Sequence, residues 1–497
     1  MKKIIQYLWM ALVFIPFMSC EDFLTEIPLD TYSTDSKYKN QTDFTQAITG
    51  VYSTNMKLYN ADDGWFSRVN LRADDNLTGG SQSYEISTFR ENNLETTFLN
   101  NGWKVLFQII TFSNIILDKI DAGEFQDASM RNYIKGEAYF FRAYAYWMLG
   151  WQWGGMPLYD RELPIEEIRK IPRSTQAETF DFAIADYKRA YDLLPEEWTG
   201  VNSGRVSKYA AAGMLGRLYL FRGNFTDAKP YLAAVVNSGK HRKDAEYVDC
   251  FSDKDENSPE RVFRVCFSGG LSQGMNSSYP SSAMYRLPDI NPYMPFTGRG
   301  AAQPMSPNLL AAYEPGDTRK DVTAVTNVEH ESGVDTVYWW CIKYIHYVNY
   351  TPLTYVDWGT DFNILRYTDV EMMYAETLNE EGYVANGDAF RIINEVRARG
   401  SLPPLDPAVV NNQDKFREAI KQERRIEFAW EGLRWIDLIR WGDVVRVINE
   451  NFQHPDEPKD GNNQPYRMEP HQILFQIPKD QLDRYSDPNI MWQNPGY

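Results

Sequence analysis

Residues 207–239 restrict the fold of this chain more than any other stretch. Ala211, Leu215 and Leu218 recur at steps of four and three, the pattern breaks at Gly223-Asn224, and Phe225, Ala228, Leu232 and Val235 resume it before Gly239. Such steps line one face of an α-helix, because 3.6 residues complete a turn. A helix, a tight turn and a helix in about 33 residues is the length of a tetratricopeptide unit. One pair cannot bury its apolar face alone, so the pattern requires neighbours of its own kind. A second pair runs through Val370, Met373, Thr377 and Leu378, turns near Gly387, and continues through Ala389, Ile393 and Val396 to Gly400. Ile134, Ala138, Phe141, Ala145 and Met148 mark another stripe, and helices are expected over 44–56 and 103–120. The expected fold class is all-α.

Two regions break the helical period. Residues 60–101 mix polar and aromatic side chains with turn signals at Asp62-Asp63-Gly64-Trp65 and Gly79-Gly80. In 268–358, a Gly-, Ser-, Pro- and Tyr-rich stretch leads to an aromatic run beginning Tyr338-Trp339-Trp340. Loops beyond about 15 residues in a compact protein are functional or disordered, and a chain that is 14% aromatic puts too many rings in these for disorder. The plan is a helical scaffold with long inserted loops and short hairpins.

The N-terminus supplies an address. Lys2 and Lys3 precede an apolar run broken by Pro16, and Phe17-Met18-Ser19 leads to Cys20, followed by Glu21-Asp22. The run is shorter than the roughly 20 residues that span a bilayer. A cysteine at the junction, in place of an Ala-x-Ala site, resembles a bacterial lipobox, with 1–19 as signal peptide and Cys20 lipidated. Glu21-Asp22 resembles signals for the outer face of an outer membrane. Losing Lys2 and Lys3 takes the formal charge of −17 to −19, which argues against nucleic-acid partners. Cys250, Cys266 and Cys341 remain; Cys250 and Cys266 are able to pair, but spacing does not decide it.

Several motifs carry a family resemblance. Glu137-Ala138-Tyr139-Phe140-Phe141-Arg142-Ala143-Tyr144 with Trp153-Gly154-Gly155-Met156-Pro157-Leu158 is one; Glu423-Arg424-Arg425-Ile426-Glu427-Phe428 with Glu431-Gly432-Leu433-Arg434-Trp435-Ile436-Asp437-Leu438 and Arg440-Trp441-Gly442 is another. With Asn394-x-x-Arg397, Ile477-Pro478 and the closing Gln493-Asn494-Pro495-Gly496-Tyr497, the sequence from Cys20 to Tyr497 resembles the SusD/RagB family. That resemblance implies a single SusD-like domain over 20–497, with four tetratricopeptide-type helix pairs carrying a ligand face. It implies a surface lipoprotein that captures oligosaccharides and serves a SusC-like TonB-dependent transporter in the outer membrane. Peptide capture, as in RagB-like members, is the alternative within the family.

An enzyme is the less favoured reading. Stepping from Phe416 by fours and threes reaches Ile420, Glu423, Glu427, Trp430, Arg434, Asp437 and Trp441. Glu423 and Glu427, one turn apart, are near the shorter carboxylate spacing of glycosidases. Arg424, Arg425 and Arg434 beside them favour ionised acids, so Glu423, Arg424, Glu427, Arg434 and Asp437 read as a structural ion network, and no catalytic residue is assigned. The five histidines are scattered, and Asp253-Lys254-Asp255-Glu256-Asn257 lacks the Gly and closing Glu of a calcium loop, so no metal or cofactor is expected. Sugars ask instead for flat apolar faces beside planar polar groups. The candidates are Trp65, Phe66, Arg72, Asp74, Asp75, Asn76, Tyr84 and Arg90 in the first region. Tyr279, Tyr285, Tyr293, Phe296, Trp339 and Trp340 are those of the second. Trp103, Trp147, Trp435 and Trp441 lie on helical stripes and read as core, and Trp153 as structural.

Overall fold

A computed structural model describes residues 37–60, 70–77, 84–90, 97–255, 257–270, 276–277, 280, 304–326, 328–330, 333–335, 338–346, 352–354 and 357–497. Eight helices make the scaffold: α1 Gln41–Lys57, α2 Thr97–Lys119, α3 Ala128–Trp153, α4 Gln176–Leu193, α5 Lys208–Phe221, α6 Phe225–Val236, α7 Tyr367–Glu381 and α8 Asp388–Arg399. They pair as α1/α2, α3/α4, α5/α6 and α7/α8, and each pair also packs on the next, giving one continuous array. Beyond the array come α9 Gln413–Glu427, which closes it against α7 and α8, then α10 Arg434–Arg440, α11 Val444–Asn451 and a single turn at Lys479–Leu482.

Local chemistry sets these ends. Asn40 caps α1 and Thr175 caps α4, each in a reciprocal capping box with the residue three positions on. Between α5 and α6 the chain reverses at Gly223, whose φ of 73° is a left-handed conformation open to glycine without a Cβ penalty. The second half of α3 is buried on all sides, with Trp147, Trp151 and Trp153 each at most 2% exposed. A helix apolar around its circumference belongs at the centre of a fold, and α3 lies between α2 and α4. Helix α4 is absent from the sequence reading, although Phe180, Ala183, Ile184, Tyr187 and Ala190 keep the three-four spacing.

The two loop regions are the long connectors of the array, 58–96 between α1 and α2 and 237–366 between α6 and α7. Sheet is minor and antiparallel. Strand β1 Arg261–Val265 pairs with β6 Phe362–Arg366, β2 Ala324–Val325 with β5 Trp340–Cys341, and β3 Val328–His330 with β4 Gly333–Asp335 as a hairpin.

One expectation fails at α9. The stripe from Phe416 to Trp441 is not one helix, because α9 ends at Glu427 and Trp430 and Gly432 have φ of 65° and 75°. Two left-handed residues turn the chain, so Arg434 and Asp437 ride on α10, not on the face of Glu423 and Glu427. Trp103, Trp147, Trp153 and Trp435 are core, whereas Trp441 is only half-buried, its Nε1 donating to Glu376 at 2.9 Å. Cys250, Cys266 and Cys341 are free thiols.

Candidate functional site

Distant parts of the two connectors meet through their backbones. Asn76 forms an antiparallel bridge with Met305, and the Leu77 amide donates to the Pro304 carbonyl at 2.9 Å. The Ser306 amide donates to the Asp75 carbonyl at 2.9 Å and its hydroxyl to that of Asp74 at 2.6 Å. Met305 in turn donates its amide to the Trp339 carbonyl at 2.8 Å. Segments 70–77, 304–306 and 338–341 therefore form one ribbon, extended by the pairing of β2 with β5. A second junction joins the same regions, since Ser277 and Trp358 exchange amide-to-carbonyl bonds of 2.6 and 3.1 Å.

Charge fastens the ribbon to the scaffold. Asp74 accepts from Arg434 at 2.8 and 3.0 Å and pairs with Arg425 at 2.9 Å, while Asp75 accepts from Arg425 at 3.2 Å. Arg72 is buried among Phe89, Trp435 and Phe475, its guanidinium carbon 4.7, 4.9 and 4.3 Å from their ring centres. Asn76 donates to the Asn70 carbonyl at 3.2 Å. These four side chains are at most 3% exposed. They are turned into the protein, where they hold the ribbon and offer no polar edge to solvent.

The Asp74 contact has a pH signature. Burial pushes its carboxyl up, but Arg425 and Arg434 more than offset this and bring it down to about 2. Burial also raises Asp75, against the pull of Arg425. A carboxyl depressed on folding adds stability above its unfolded value, near 4, which is lost as pH falls through the folded value. Asp74→Asn is therefore expected to cost about 2 kcal/mol at pH 6, a difference from the parent that shrinks between about pH 4 and 2. Urea unfolding across that range checks it; a pH-independent difference would contradict the ion-pair origin.

The carboxylates with glycosidase-like spacing are sealed in protein. Glu423 accepts from Arg319 at 2.6 Å and Arg397 at 3.1 Å. Glu427 accepts from Arg319 at 3.1 Å, Arg366 at 3.1 Å and Arg399 at 2.6 Å. Arg366 continues to Glu260 and Glu431, and Lys343 joins Glu431 at 2.7 Å. Arg424 links Asp369 and Asp437 at 2.8 and 2.9 Å. Burial raises Glu423, whereas Glu427 sits below the carboxylate range because Arg399, Arg366 and Arg319 outweigh its burial. Such a split suits an acid–base pair, but Glu423 is 3% and Glu427 0% exposed and Arg319 lies between them. No glycosidic bond reaches them in this arrangement.

The described candidates of the second region lie on the ribbon segment 338–341. Tyr338 is 43% exposed, Trp339 is half-buried, and Trp340, inside β5, is only 4% exposed. Alternation along a strand sends neighbours to opposite faces, so the adjacent tryptophans divide into one inner and one partly outer ring. Lys320 places its ammonium 4.5 Å over the Trp339 ring. Sequence reading missed Lys320, for it lies at no helical or motif spacing and meets Trp339 only through tertiary structure. Arg90 is exposed with its guanidinium 4.6 Å over Tyr466. Tyr84 opens the short helix Tyr84–Ser87. Cys20, Trp65, Phe66, Tyr279, Tyr285, Tyr293 and Phe296 lie outside the described residues.

Other sites offer less. Asp244, Cys250 and Glu260 bring ligand atoms within 4.8 Å of one another, yet Glu260 accepts from Arg366 at 2.7 Å and Arg399 at 2.9 Å, so guanidinium groups already hold the charge. In the calcium-like stretch Lys254 pairs with Asp249 at 2.9 Å, as in a solvated turn. A cleft of about 520 Å³ opens beside Trp198, Arg205, Lys240 and Arg264, lined by none of the candidates, and those three cations are engaged by Glu137, Glu197 and Asp361.

Comparison with known proteins decides the family. Residues 226–497 match the model of the SusD family, and residues 24–220 match a model described as starch-binding associating with outer membrane. The chain belongs to the SusD family. Among SusD-like relatives, one from Formosa agariphila is 26% identical over 518 residues, covering 94% of both chains. Another, from Bacteroides ovatus, is 24% identical, covering 72% of this chain and 67% of its own. Solved SusD-like structures share the fold. A laminarin-binding SusD-like protein superposes with a TM-score of 0.76 at 23% identity, covering 93% of this chain and 100% of that one. Surface glycan-binding protein A of Bacteroides thetaiotaomicron, in complex with laminarihexaose, gives 0.74 at 19% identity over 92% and 100%. A SusD homolog from the same species gives 0.80 at 20% identity over 96% and 100%.

Proposed function

We propose that this SusD-family chain is a lipoprotein of the outer-membrane surface, anchored through Cys20, that binds oligosaccharides and delivers them to a SusC-like TonB-dependent transporter. It acts by binding alone, without turnover. The observation that carries the reading is the ribbon that joins 70–77, 304–306 and 338–341, on which Tyr338 is exposed and Trp339 half-buried with Lys320 against its ring. A partly exposed aromatic ring with a cationic donor close against it suits a pyranose, whose C–H face stacks while its hydroxyls accept. Arg90, Tyr84 and the loop aromatics Trp65, Phe66, Tyr279 and Tyr293 complete the proposed face, and Asp74, Asp75 and Asn76 hold it in place. Two solved family members named for laminarin or complexed with laminarihexaose support a glycan as ligand. Among the described residues no helix is long and apolar enough to cross a membrane, which accords with a lipid anchor.

A form lacking residues 1–20, titrated calorimetrically with laminarihexaose and then with other oligosaccharide classes, is expected to bind at least one without releasing reducing ends. Trp339→Ala should weaken that binding about tenfold or more, the cost of removing a central aromatic anchor. Absence of heat with every glycan, or binding indifferent to Trp339 and to the loop aromatics together, would overturn the reading.

A further inference from the structure

The cleft beside Trp198 shares no lining residue with the ribbon, and its volume of about 520 Å³ is within the roughly 300–1,000 Å³ of small-molecule sites. Three stretches line it: the connector between α4 and α5 at 196–207, residues 240–242 after α6, and 257–264, which lead into β1. No spacing in the sequence brings these stretches together; tertiary structure does.

The cleft is largely preformed. The Trp198 Nε1 donates to the Val206 carbonyl at 2.8 Å, and the Arg205 guanidinium carbon sits 4.4 Å from the indole ring centre. Arg205 is held in turn by Glu137, a wholly buried residue of α3. Lys240 reaches across to Glu197 at 2.8 Å, and the Arg242 amide donates to the Pro259 carbonyl at 3.3 Å. Those contacts link all three stretches and hold the shape of the space between them.

The charges select the ligand. Three carboxylates, those of Glu196, Glu197 and Asp255, line the cleft beside five cationic side chains. Four of the cations already meet a carboxylate, that of Glu137, Glu197 or Asp361. An anion would be repelled by the lining acids and offered mostly satisfied cations, and a cation would face the arginines. An uncharged ligand rich in hydroxyls meets neither penalty, since each hydroxyl donates to a carboxylate and accepts from a guanidinium. The half-buried Trp198 supplies an apolar wall for its C–H groups. We infer that the cleft is a second saccharide site, separate from the ribbon, which takes a neutral sugar of one or two residues. The inference does not rest on glycan binding at the ribbon.

Calorimetry on the mature chain with Cys20→Ser and Trp339→Ala tests the cleft with the ribbon weakened. The protein is expected to bind at least one of laminaribiose, cellobiose and maltose, and sulfate in excess should not displace the sugar. Ser203→Trp, which puts a bulky ring into the cleft from its wall, and Arg242→Ala, which trims an exposed donor, should each weaken that binding about tenfold or more. With Trp339 restored, Ser203→Trp should leave untouched the share of binding that Trp339→Ala removes, so the two sites fail separately. Binding of none of the three sugars, affinity indifferent to both substitutions, or displacement by sulfate would overturn the inference.

Discussion

Glu427→Ala is expected to cost about 3–5 kcal/mol of unfolding free energy, the loss seen when one member of a buried ion network is removed. Glu427 is wholly buried and bonded to Arg319, Arg366 and Arg399. Without it, three guanidinium groups keep their burial and must share the remaining carboxylates Glu423, Glu260 and Glu431, one negative charge short. The penalty is an uncompensated charge, not the net worth of an ion pair, because replacing a whole buried network by apolar groups of similar shape is often neutral. Burial acts to raise this carboxyl and the arginines hold it below the usual range, so its contribution is complete above the unfolded carboxylate value and fades as pH falls through the folded one. Urea denaturation followed by circular dichroism at pH 7 measures the loss, and a change below about 1 kcal/mol would show that the arginines have other support. Reducing-end release by the parent, abolished in Glu423→Gln with the fold intact, would instead make the pair catalytic.

Gly155→Ala should be comparably severe, about 3 kcal/mol, through a steric route. A Cβ there would lie 1.7 Å from the Ser174 carbonyl oxygen, and backbone does not yield as a side-chain tip does. The approach is enforced from both sides: Arg173 donates to the Gly155 carbonyl at 2.7 Å, and the Ser174 amide to the Met156 carbonyl at 3.0 Å. Arg173 also donates to the Trp492 carbonyl and to the Asn494 side chain at 2.8 and 2.6 Å. Forcing this turn open loosens the cap of α4 and the chain's last residues together. Gly461→Ala, whose Cβ meets nothing within 4 Å, is the matched control. Equal urea midpoints for the two variants would contradict the steric account.

The scaffold was legible because helix packing leaves a local record. Residues three and four apart share a face, so the α5/α6 and α7/α8 pairs stand out from 207–239 and 370–400 without tertiary information. The break between α9 and α10 was not, since the three-four stepping continues unbroken through Trp430, whose left-handed backbone goes with the buried packing of its ring and a hydrogen bond of 2.9 Å from the Tyr344 hydroxyl to its carbonyl. The site was legible in composition but not in orientation. Asp74, Asp75 and Asn76 are the polar side chains a sugar would need, and Trp339-Trp340 the rings. Which of them face outward depends on Arg425, Arg434 and Met305, residues more than 200 positions away from 74–76.

From its sequence alone, the chain determined a helical repeat, because each helix needs a neighbour for its apolar face and the period of that face is written in consecutive residues. Its two long aromatic connectors were fixed in the same way, by the loss of that period. Tertiary structure decided what the connectors do: backbone hydrogen bonds between 75–77, 304–306 and 339 make them one ribbon, and the half-buried Arg425 and Arg434 turn the acidic residues inward. It also set Lys320 over Trp339. Those outcomes rest on contacts between residues far apart in the chain, whose geometry no local spacing encodes.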